Sequence, residues 1–120
     1  MATNFVSDAT TIEYANTGSA ISSNDVVAMN DVVGIAVVDI AATNGIGTVI
    51  IEGSFSVPKI SGVAWAVGDK VDWDASASAF SKGITTAAGD VTNCGVVTAA
   101  AASAATTGVV KLTPGTGTGI

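Results

Sequence analysis

Three carboxylates, two lysines and both tryptophans of the chain fall within KISGVAWAVGDKVDWD, residues 59–74. Asp69, Asp72 and Asp74 are the residues here that could gather a metal ion or share a proton in acid–base work. If 70–74 is a strand, Asp72 and Asp74 share a face, roughly 7 Å apart by the strand rise. A calcium loop needs a denser oxygen array with a glycine bend and a bidentate Glu. A glycosidase pair needs a cleft, and sugar-binding clefts want stacking aromatics. GDKVDWD offers neither pattern. The spacing favours a turn at Gly68-Asp69 followed by a strand. Val71 and Trp73 then point inward, and Lys70, Asp72 and Asp74 point into water. No metal, cofactor or catalytic role is expected of this stretch.

The rest of the inventory is equally short of reactive groups. The chain has no His and no Arg, so the commonest general base and the usual carboxylate or phosphate clamp are missing. Cys94, in TNCGVV, has no basic neighbour type to activate it and reads as a small buried thiol. Ser-His-Asp chemistry is excluded, and nothing marks a Ser-Lys pair. A phosphate loop needs a lysine after glycine; the lysines here follow Pro58, Asp69, Ser81 and Val110. Trp65 and Trp73 could form a ligand platform. Such rings more often serve core or interface. Trp73 is assigned to the core, and Trp65 to the core edge or a subunit interface.

The elements that must carry these residues are read as strands. The 120 residues suit one domain, 1–120, large enough to fold without metal or disulfide. Aromatics are sparse, while Val, Ile and Thr recur in short runs between Gly, Asn, Asp and Ser, which is an all-β composition. The single cysteine allows no internal disulfide. With a net charge of −6 and four scattered lysines, neither nucleic acid nor an anionic membrane is an expected partner. The N-terminus has no basic start followed by an apolar run, so no secretion signal is expected.

Residues 1–9 read as an arm, 10–15 as a half-buried strand with Ile12 and Tyr14 inward, and 25–29 as a short strand turned by Asn30-Asp31. VVGIAVVDI, 32–40, is apolar on both alternations, as in a strand covered on both faces or lying against a partner. The cleanest alternation runs over 47–57, with Val49, Ile51, Phe55 and Val57 on one face and Gly53 marking a bulge or bend. Strands follow at 70–74, 91–98 and 107–112. The alanine-rich run before the last is too short and unpatterned for a stable helix. Residues 113–120, TPGTGTGI, read as a flexible tail. The expected fold is a single small β-sandwich or barrel of about eight short strands.

MATNFV, Val33-Gly34-Ile35-Ala36, Glu52-Gly53, Pro58-Lys59, Trp65, Gly68-Asp69-Lys70-Val71 and Trp73-Asp74, followed by a Gly-Val-Val-rich ending, resemble in that order the capsid cement (head decoration) proteins of tailed bacteriophages. That family was long a domain of unknown function and was sometimes labelled a recombinase, a label the missing phosphate loop contradicts. The resemblance implies a β-rich, non-enzymatic protein on the outer surface of the phage head, made in the host cytoplasm, with the major capsid protein as partner. It favours a trimer, with a dimer as the alternative. The expected capsid contacts are Thr3, Asn4, Phe5 and Val6 in the arm. The expected subunit-interface residues are Trp65, Val33, Ile35 and Val37. The alternative function is a ligand- or carbohydrate-binding β-sandwich displayed on a virion.

Overall fold

The computed structural model describes residues 10–120, which form ten strands and no helix. Four make a first antiparallel sheet in the order β1-β4-β3-β2: β1 (Thr11–Asn16), β2 (Val26–Met29), β3 (Val32–Ala36) and β4 (Gly45–Ile50). The second sheet runs β5-β9-β8-β6-β7, with β10 attached to β8. Its strands are β5 (Gly53–Pro58), β6 (Lys70–Asp74), β7 (Ala79–Ser81), β8 (Val91–Ala99), β9 (Thr107–Leu112) and β10 (Thr118–Gly119). This sheet curls on itself. A bridge between Lys59 and Phe80, with Ile60 N donating to Phe80 O at 2.9 Å, ties its β5 and β7 edges together.

The alternation over 47–57 proves to be two strands. β4 belongs to the first sheet and β5 to the second, and the chain crosses between them at Ile51-Glu52. Gly53, at φ 121°, takes the left-handed backbone the crossing requires. The period-2 pattern survives the break, because Val49 and Val57 are both buried.

One core lies between the sheets. Val33 and Ile35 from β3 meet Val57, Val71, Trp73, Phe80, Val97, Val110 and Leu112 there, with Phe80 edge-on to Trp73 at 5.1 Å between centroids. A second, smaller cluster of Val27, Ala36, Ile40 and Val49 covers the opposite face of the first sheet. It forms because the chain beyond β3 bends back, and Ile40 bridges to Ile21 through paired backbone hydrogen bonds of 2.8 and 2.9 Å. Residues 33–36 of the apolar run are therefore covered on both faces by their own chain, whereas Val37 and Val38 are exposed.

The C-terminal segment corrects the expected flexible tail. β10 pairs with β8, Gly119 N donates to Asp31 Oδ1 at 2.6 Å, and Ile120 N donates to Asp90 O at 2.9 Å. β1 is more exposed than the expected half-buried strand. Ile12 is on the surface and Tyr14 is partly buried.

Candidate functional site

The three aspartates of the opening stretch do three separate jobs. Asp69, in the turn before β6, accepts from Ala66 N at 2.8 Å and from Lys82 Nζ at 2.7 Å. The Lys82 hydrogen bond, helped by Ala66 N, holds its carboxyl below the ordinary 3.8. Asp74, at the end of β6, accepts from Ser76 Oγ at 2.7 Å and from the Ser76 and Ala77 amides, closing the turn into β7. The Ser76 hydroxyl leads in lowering its pKa as well.

Asp72 departs from the expected wet strand face, because it is covered rather than exposed. The β6–β8 register slips between Val71 and Trp73, and Asn93 sits in the slip with φ 52°. That bulge frees the Asn93 amide from the ladder, and Asp72 Oδ1 accepts it at 2.8 Å. Thr116 Oγ1 satisfies the Asn93 carbonyl at 2.9 Å. Among the described residues no group of three or more His, Cys, Asp or Glu stands close enough to hold a metal ion.

Cys94 is buried beside Val71 O, and burial pushes its thiol up to about 12. That is a packed side chain, not a nucleophile. A cavity of about 330 Å³ lies against Asn30, Asp31, Asp90 and Ile120. Its carboxylates are occupied by the chain itself: Asp31 by Gly119 N, and Asp90 by the Ala75 and Ala87 amides.

Pro58-Lys59 and Trp65 form one structural unit. Lys59 is buried, and among the described residues it forms no ion pair. Its Nζ donates to the carbonyls of Ile60, Ser103 and Ala105 at 3.2–3.3 Å and lies 5.5 Å from the Trp65 ring centre, where the π face attracts a cation. Trp65 is 2% exposed, is bridged to Ala101, and covers Gly108 so closely that a Cβ there would fall 2.4 Å from the ring. Its Nε1 meets no acceptor among the described residues.

These positions correct most of the expected interface. Trp65, Val33 and Ile35 are core side chains, because the second sheet closes over them. Of the four, Val37 alone reaches the surface, at 44% exposure. The arm residues Thr3, Asn4, Phe5 and Val6 lie outside the described residues. With both indole rings buried, neither is offered to a sugar, which removes the feature that suggested a carbohydrate module. The surface carries Ile46 near the β1–β4 pair and Val67 on the far lobe, which the sequence reading passed over, together with Ile12, expected inward, and Val38 of the apolar run.

Two antiparallel sheets around an apolar core, with Asp69 and Asp74 bonded into turns and Asp72 into a bulge, define an all-β fold. The chain belongs to the phage cement protein family, whose model matches residues 6–112. Membership implies a structural role in the phage capsid, association with that capsid and a place in the virion. Comparison with curated proteins and with solved structures gave no match.

Proposed function

We propose that this protein binds the outer surface of an icosahedral phage head and strengthens contacts between neighbouring major capsid protein subunits. The family match over residues 6–112 carries this reading. A protein that binds the assembled lattice and not its separated subunits stabilises the lattice by mass action. At a free concentration a hundred times its dissociation constant, each site gains about 2.7 kcal/mol. The net charge of −6, with no Arg and no His, suits a surface away from packaged DNA. Copies are expected to cluster in threes, with pairs as the alternative. That arrangement is supported by the family resemblance, since cement proteins commonly sit on capsid symmetry axes; of the apolar run, residues 33–36 are covered by their own chain and Val37 and Val38 are exposed.

Heads prepared with and without the protein test the reading. DNA release followed by dye fluorescence during heating should shift to higher temperature when the protein is present. Antibody added to intact heads should label it. Equal release temperatures, or labelling only after the shell is opened, would overturn the proposal.

A further inference from the structure

The first sheet is a lobe without cations. Across residues 10–51 the charged side chains are Glu13, Asp25, Asp31 and Asp39, and every lysine comes later in the chain. Of those, Lys59 is buried and Lys82 is taken by Asp69.

β1 is an open edge of this lobe. Among the described residues it pairs only with β4, in unbroken register from Thr11 opposite Ile50 to Asn16 opposite Gly45. Protein edges usually guard against further pairing with lysine, proline or a bulge. TIEYAN has none of these. Ile51 N donates to Thr10 O at 3.0 Å. Because antiparallel partners alternate between bonded and non-bonded pairs, Thr11, Glu13 and Ala15 then turn their backbone N–H and C=O groups away from β4. Apolar side chains flank this edge on both faces of the sheet. Ile12, 37% exposed, lies on the face of Val49, and Ala15 on the other face lies opposite Ile46, 69% exposed.

From these features, and resting on the proposed capsid role, we infer that the β1 edge with Ile46 docks an extended, Lys- or Arg-bearing segment of the major capsid protein. That segment adds a fifth strand to the first sheet. Its backbone would satisfy the outward groups of Glu13 and Ala15, its apolar side chains would cover Ile12 and Ile46, and a cation would answer Glu13, the carboxylate on β1. A second copy of this chain does not fit the same edge, because it would bring two anionic lobes together with no cation between them.

The test is co-sedimentation with purified heads that lack this protein, at low and raised salt. Ala15→Pro removes an outward donor without touching the β1–β4 ladder, and Ile46→Lys changes an exposed side chain. Val67→Lys, at a 68% exposed site on the other lobe, is the control. Melting curves matching the wild type establish that each variant is folded. Wild-type binding should fall as salt rises. Ala15→Pro and Ile46→Lys should each weaken it by about tenfold or more, and Val67→Lys should leave it within about twofold. Wild-type-like binding by both edge variants overturns the inference while leaving the capsid reading intact. Failure of the wild type to bind heads overturns the capsid reading itself. A wild-type dimer that Ala15→Pro dissolves in sedimentation equilibrium gives the edge to a second copy, and that too overturns it.

Discussion

Gly108→Ala is the sharpest test of how the Trp65 unit is packed. Gly108 lies in β9 opposite Val57, beneath the Trp65 ring. A Cβ there would stand 2.4 Å from Cζ3 and 2.7 Å from Cε3. The ring has little freedom to retreat, because Trp65 is tied to Ala101 by backbone bonds of 2.9 and 3.0 Å. Overpacking of this kind costs about 1–3 kcal/mol, against about 0.5–1 kcal/mol regained by replacing a strand glycine. The expected net loss is about 1 kcal/mol. For a chain of this length that lowers the melting temperature by roughly 4 °C. Trp65→Phe removes the outer ring atoms that the new methyl would strike, and with them the unpaired Nε1 donor. The double variant should therefore be less destabilised than the sum of the singles by about 1–2 kcal/mol. Urea denaturation at constant m-value measures all four proteins. A Gly108→Ala protein that melts with the wild type, or singles that add within about 0.5 kcal/mol, would refute the packing argument.

Cys94 should resist thiol reagents at pH 8 in the folded protein, with labelling paced by global unfolding; prompt stoichiometric labelling in native buffer would contradict its burial. Asp69 and Asp74 are held below the ordinary 3.8 in the folded state. Their contribution to stability is thus present above pH 3.8 and is lost as pH falls through their lower folded values. Asp69→Asn should flatten this acid limb in urea midpoints taken against pH, and an unchanged limb would count against the Lys82 contact. Asp31→Ala should cost about 1 kcal/mol and speed hydrogen exchange at Gly119 and Ile120. Unaltered protection there would mean that the chain end is held by other means.

What the sequence could not disclose follows from what holds each piece. Val71, Trp73 and the strand at 107–112 were legible, because alternation reports which side chains a sheet buries. The sheet-to-sheet crossing at Ile51-Glu52 was not, because the alternation passes through it unbroken, and Gly53 hinted at a bend without saying between what. Asp72 was misplaced because a register slip on β8, invisible in the residues of β6, presents it with the Asn93 amide. The tail was misread because TPGTGTGI has little to bury, yet β10 is held through its backbone, which composition does not report. The run 32–40 was read correctly as doubly apolar. Cover for residues 33–36 came in part from Ile40 and Ile21, unremarkable in sequence, while Val37 and Val38 stay exposed. The buried role of Lys59 had no signal beyond its place after Pro58. The absence of lysine before it was plain in the sequence, but acquired meaning only once those residues proved to form one sheet.

That division of the chain at Gly53 also orders its folding. The first sheet pairs residues that all lie before the crossing, so its strands can pair before the second sheet is complete. The second sheet must join Gly53 to Leu112 across most of the remaining chain, and such non-local pairing slows folding. Until β9 is synthesised and captured, Val33 and Ile35 face solvent on a finished sheet, beside a β1 edge without guard residues. A chain halted before β9 would thus expose that apolar face beside an edge that no lysine or proline guards, and truncation after Asp74 should make the product aggregate.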